Sequence, residues 1–174
     1  MAPLSSTAVP RPAGYSKTHI ALHWLVALLI AGQLIGGESM TAAFDGFIEN
    51  TQVGTFDFVL SRIHILSGIT IWLFAAWRLY LRFTRGVPAH PEGQSKALTV
   101  LASAIHIVLY GSLLIFPITG SLAWFLGNEM IGDWHSWARY VILPPVFLHI
   151  VGGMVQHYYY KSNVLKRMMK VQTA

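Results

Sequence analysis

The chain has 174 residues, 54% of them from the apolar set AVILMFWYC and only 11% charged, less than half the roughly 25% typical of soluble domains. This excludes an ordinary water-soluble enzyme, and it excludes a disordered chain, which needs low hydrophobicity and high charge. The formal charge is +5, with no cysteine and eight histidines; disulfides, iron–sulfur clusters, thiolate zinc sites and C-x-x-C-H haem attachment are therefore out, and any metal must be held by His, Met or oxygen.

In chain order, residues 1–14 read as a loose Pro/Ala/Ser tail, and the segment up to Thr18 has no apolar h-region, so the first helix is expected to stay in the mature protein. Charge-free stretches follow at 18–37, 63–77, 97–128 and 140–160. A membrane-crossing helix needs about 20 mostly apolar residues. The second stretch reaches that length if it starts near Phe58, runs past Arg78 to Leu81, and lets Arg62 and Arg78 snorkel at opposite ends. Four such runs leave too little polar surface for a bundle in water. The expected fold is all-α, an integral membrane four-helix bundle over residues 15–169, with 170–174 as a C-terminal tail. Pro117 is expected to kink the third helix, and Pro144-Pro145 to kink or break the fourth. Gly32-x-x-x-Gly36, Gly68, Gly111, Gly120, Gly152 and Gly153 suit close helix packing, and a flat macrocycle between helices would need the same absence of side chain.

Lys and Arg set the orientation. Arg11, Lys17, Arg78, Arg82, Arg85, Lys96, Lys161, Lys166, Arg167 and Lys170 fall on one side, and only Arg62 and Arg139 on the other. An even number of spans then places both termini in the cytoplasm of a bacterial inner membrane. The outer connections hold Glu38, Asp45, Glu49, Asp57, Glu129 and Asp133. The basic tails suit anionic lipid rather than nucleic acid. The six tryptophans lie mostly near span ends, as an interfacial belt does.

Histidine inside a membrane helix is costly and points to function. Antiparallel threading puts His64 and His135 near the outer side and His23 and His149 near the inner side. His149 follows His135 by 14 residues, about 21 Å if helical throughout, and returns to within about 40° of the same direction. Each pair joins two helices, so its imidazoles can clamp a haem iron from both faces. A proton relay is the competing use. Zinc would want more ligands than two, and the spans hold no Asp or Glu. His106 lies at a depth close to His149 and could replace His23. His19 reads as interfacial, His157 as a polar group at the inner surface, and His90 as solvated. Arg62 and Arg139 are candidates for outer haem propionates, Arg78 and Arg82 for inner ones, although positive-inside anchoring explains the last two equally well.

The stretches Tyr15-Ser16-Lys17-Thr18-His19-Ile20-Ala21-Leu22-His23-Trp24, Ile63-His64-Ile65-Leu66-Ser67-Gly68, Trp77-Arg78-Leu79-Tyr80-Leu81-Arg82, His106-Ile107-Val108-Leu109-Tyr110 and Phe147-Leu148-His149, with the tail from Gln156-His157 to Met169, resemble the bacterial cytochrome b561 family of di-haem four-helix membrane proteins. The resemblance is greatest to its superoxide oxidase-like branch. It implies two haem b per chain on His23, His64, His135 and His149, and it favours His23 over His106. It also implies electron transfer between a membrane quinone, ubiquinone in that branch, and superoxide or a soluble periplasmic redox protein. A quinone pocket is expected around His106, His157 and Lys161. The acidic outer loops depart from the positive funnel that anionic superoxide would favour. Three classes of function stay open: a stand-alone redox enzyme, a haem-bearing anchor subunit of a respiratory dehydrogenase or hydrogenase, and a haem-free transporter with a His proton relay.

Overall fold

The computed structural model describes residues 12–171; Arg11 and most of the expected N-terminal tail, and residues 172–174 of the C-terminal one, lie outside the described part. The elements are α1 (Lys17–Ile35), α2 (Gly37–Glu49), α3 (Thr55–Arg85), α4 (Lys96–Leu126), α5 (Glu129–Ser136), α6 (Ala138–Tyr158) and α7 (Val164–Arg167). Among the described residues there is no strand. Four segments are long and apolar enough to cross a membrane: α1, α3, α4, and α5 with α6 taken together. The protein is thus a membrane-type four-helix bundle, and the spans fall where the charge-free stretches lie.

Local chemistry explains the ends. Ser16 and Ser95 begin α1 and α4 by accepting the backbone N–H groups of His19 and Leu98, both at 3.3 Å, which satisfies donors that a helix start leaves free. Helices α2 and α4 end on left-handed residues, Asn50 at φ 55° and Gly127 at φ 58°. The next N–H in each case reaches back, Thr51 to Gly46 O at 2.9 Å and Asn128 to Ala123 O at 3.0 Å, closing a Schellman motif. These two stops turn the chain at one end of the bundle and allow the short helices α2 and α5 to form there. The charge pattern alone marks the α2 segment as part of an acidic connection, and the fourth helical region begins at Glu129, before the expected start at His135.

Of the kink or break expected at Pro144-Pro145, the break does not occur. Helix α6 continues through Pro144 and Pro145, and α4 continues through Pro117. Membrane helices tolerate proline where neighbouring groups and small backbone adjustments take up the freed carbonyls. The interruption in the fourth span lies at Trp137, between α5 and α6, so the His135-to-His149 register is broken before the prolines rather than at them.

Packing runs in the order α1, α3, α4, α6, with α2 against α3 and α5 against α4. Helices α1 and α6 are not among the closely packed pairs and face each other chiefly through side chains. Val26, Ile71, Ala75, Leu113 and Ile142 are buried together at mid-height, backed by Leu29, Ile30, Phe74, Leu109, Leu114 and Val146. Outward faces stay apolar: Leu28 is 70% exposed, Ile107 71% and Phe147 64%. Continuous apolar exposure of this kind marks a surface made for lipid.

One end of the bundle carries Glu38, Asp45, Glu49, Asp57, Glu129 and Asp133 and is called here the acidic end. The other, basic end is closed by the tail. The Trp24 indole donates to Met168 O at 2.8 Å, and the Arg167 guanidinium donates to Ala89 O at 2.7 Å. These bonds seat α7 across the start of α1 and the connection between α3 and α4.

Candidate functional site

The histidines gather at two levels, separated by the mid-height apolar layer. At the acidic end His64 of α3 faces His135 of α5, ring centroids 6.2 Å apart and planes at 84°. At the basic end His23 of α1 faces His149 of α6, centroids 5.9 Å apart and planes at 64°. Two imidazoles bound to opposite sides of one ion, with metal–nitrogen bonds of about 2.0 Å, stand on the order of 6 Å apart between centroids. Both pairs match that spacing. His106 lies closer to His149, at 5.1 Å, and its Nδ1 sits 2.6 Å from Ala102 O. A carbonyl can only accept, so that nitrogen carries the proton and ties His106 to its own helix. The 5.1 Å spacing is short for a shared ion, so the geometry favours His23 as the partner of His149.

A cavity of about 440 Å³ opens beside the acidic-end pair, lined by His64, His135, Gln33, Phe116, Gly120 and Arg139 among others. Its size suits a bound organic group. Gly120 is where a side chain would be excluded: a Cβ there would stand 2.8 Å from His135 Cε1 and 3.0 Å from Nε2. Gln33 donates to His64 O at 2.8 Å and to Ser67 Oγ at 3.0 Å. The Nδ1 atoms of His23 and His64 are buried without a hydrogen-bond partner. No cluster of three or more His, Cys, Asp or Glu able to hold a metal occurs among the described residues. At the acidic end, facing imidazoles, a wall that admits no Cβ and an apolar cavity together fit a flat macrocycle that His64 and His135 would hold; at the basic end the fit rests on the facing rings of His23 and His149.

The arginines divide. Arg139 lines the acidic-end cavity. Arg62 is not in that wall; its guanidinium lies over Phe58 at 4.8 Å and over Trp124, which does line the cavity, at 5.2 Å. Arg78 sits over the Tyr110 ring at 5.7 Å, and its buried Nε has no partner. That orphan donor at the basic-end level suits an anionic group such as a carboxylate. Tyr15, just ahead of α1, is half-buried nearby, and its partial burial pushes its phenol above the usual range against the opposing pull of Arg82.

His19, in the first turn of α1 at the basic end, is only 4% exposed, with Tyr15 edge-on at 5.2 Å. The three residues proposed for a quinone pocket lie at different levels. His106 is against His149, whereas His157, eight residues further along α6, has its Nδ1 3.4 Å from Ser162 O, and Lys161 is exposed just beyond. Gln33 and Thr119 were not singled out from sequence. An amide in the middle of an otherwise apolar span was the available signal for Gln33; Thr119 gave none, because hydroxyls in membrane helices commonly bond their own backbone.

A family model described as prokaryotic cytochrome b561 matches residues 14–170. Among curated proteins, cytochrome b562 of Cereibacter sphaeroides is 29% identical over 160 residues, covering 90% of this chain and 96% of that protein. Cytochrome b561 homolog 1 of Escherichia coli K12 is 29% identical over 184 residues, covering 89% of this chain and 96% of that protein.

Proposed function

We propose a function from one premise: this chain belongs to the prokaryotic cytochrome b561 family. It is a multi-pass bacterial membrane protein whose family points to haem b binding and haem-based electron transfer across the membrane. Beyond that coarse statement, our reading is of two haem b per chain, one on His64 and His135 and one on His23 and His149. The observation that carries it is the pair of facing imidazole couples, 6.2 and 5.9 Å apart, above and below one apolar layer. Haem, when bound, would supply a one-electron iron couple, and an iron held by two imidazoles would leave oxygen no open coordination site.

The protein's residues do the rest. Val26, Ile71, Ala75, Leu113 and Ile142 keep water out between the two levels. Arg139 and Arg78 are placed to meet haem carboxylates at the acidic and basic ends respectively, with Arg62 lending charge from behind Trp124 and Arg82 beside Arg78. The basic end, by the lysine and arginine count, faces the cytoplasm of the inner membrane. The electron partner there is membrane quinone, taken near His106, with His157 and Lys161 at the exit to the surface. The partner at the acidic, periplasmic end is superoxide or a soluble redox protein. Six carboxylates against Arg62 and Arg139 favour a basic protein.

A pyridine haemochrome assay tests this reading directly. Two b-type haems per chain are expected. His64→Ala and His135→Ala should each remove one and the same haem, and His23→Ala and His149→Ala the other. A colourless purified protein would overturn the reading, and loss of the basic-end haem in His106→Ala but not in His23→Ala would overturn the choice of His23. Fast haem reduction by superoxide, abolished by excess dismutase, would identify superoxide as the acidic-end substrate.

A further inference from the structure

The two rings at the acidic end are not equivalent, and the difference lies in α4. Thr119 Oγ1 donates to Phe116 O at 2.8 Å and also lies 3.2 Å from His135 Nδ1. A threonine hydroxyl has a single hydrogen, and here it is committed to a carbonyl that can only accept. The contact with His135 must therefore run the other way, from Nδ1–H to the hydroxyl oxygen. This fixes the tautomer of His135 and leaves its lone pair on Nε2. Gly120, the next residue, leaves open the space that the same ring occupies: a Cβ there would meet Cε1, Nε2 and Nδ1 at 2.8, 3.0 and 3.1 Å. His64, across the cavity, has an Nδ1 that is buried and unpartnered.

We propose that Thr119 and Gly120 form a two-residue seat for His135, the hydroxyl choosing the tautomer and raising the ring's basicity while the missing side chain sets its angle. The proposal rests on the haem reading above and adds positioning residues to it. A ligating imidazole whose far N–H is hydrogen-bonded donates more electron density to its metal. That favours the oxidised iron, so the seat lowers the potential of the haem held by His64 and His135 and leaves the other unaltered.

Thr119→Val removes the acceptor and keeps the shape. We expect full haem content, an upward shift of one of the two midpoint potentials in a redox titration, and no movement of the other. Thr119→Ser should restore the original value, and Thr119→Ala is read in the same way should valine not be accommodated. Gly120→Ala should change the low-spin electron paramagnetic resonance signal of that same haem, because the ring must turn or retreat. Two unmoved potentials in a Thr119 variant with full haem content, or two equal shifts, would overturn the seat. The haem reading itself fails differently, through wild-type protein that binds no haem or His135→Ala protein that keeps two.

Discussion

The two histidine levels are built on opposite plans. The acidic-end pair is spacious: a cavity of about 440 Å³ adjoins it, α2 and α5 cover it, and one ring is held from outside by Thr119. The basic-end pair is crowded. His106, His19, Arg78 and Tyr15 gather around His23 and His149, and α7 closes that end. At the acidic end the surroundings shape the ring; at the basic end they supply charge. On the proposed two-haem reading, couples made from the same pair of imidazoles would therefore sit at different potentials.

The largest test of this contrast is to remove the buried charge. Arg78 has an unpartnered Nε, and a cation near a redox centre favours the reduced, more negative form. Arg78→Gln should lower the potential of the couple at His23 and His149 by on the order of 2 kcal/mol of electrostatic energy in partly desolvated surroundings. The His64–His135 couple should stay where it is. Equal movement of both in a redox titration would show that the two levels are not independently tuned.

Much of this plan was legible in the sequence, and the limits have physical causes. Span positions could be read because burial in lipid demands long uncharged runs, and the four runs are plain. Depth along an antiparallel thread was enough to pair His64 with His135 and His23 with His149. Depth alone left His106 in competition with His23; the family resemblance favoured His23, and both rings stand near His149, at 5.1 and 5.9 Å. His19 was legible as a group near the start of its span, but not its burial against Tyr15, which depends on how the tail folds back on α1. Pro144 and Pro145 looked like breakers because isolated helices cannot replace the lost bonds, whereas a packed membrane helix can adjust. Helix α2 and the part of α5 ahead of His135 were not legible because their stability comes from capping and from packing on α3 and α4 rather than from an apolar run.

A second test asks whether the apolar layer serves both levels equally. Ile142 of α6 lies in that layer with Val26, Ile71, Ala75 and Leu113. Ile142→Ala leaves a cavity and should cost about 1–2 kcal/mol, at or below the low end of core truncations because lipid replaces water as the reference for the exposed side chain. Thermal unfolding in detergent should show both haems lost together at a lower temperature. Loss of one haem well before the other would mean that the levels unfold separately and that the layer belongs to one of them.

The smallest expected effect concerns the closure of the basic end. The Trp24 indole bonds Met168 O at 2.8 Å, one residue from His23 along α1. Trp24→Phe keeps the ring and loses the donor, a change of about 0.5–1 kcal/mol for a hydrogen bond at a half-exposed site. Limited proteolysis should then cut the chain more readily beyond Tyr160, with both haems retained and the His64–His135 couple at its original potential. If α7 screens the basic-end pair from water, the His23–His149 couple should move slightly while its neighbour does not, since added water changes the dielectric only at that level. An unchanged couple with faster proteolysis would assign α7 to holding the helix ends together and leave the tuning of that level to Arg78.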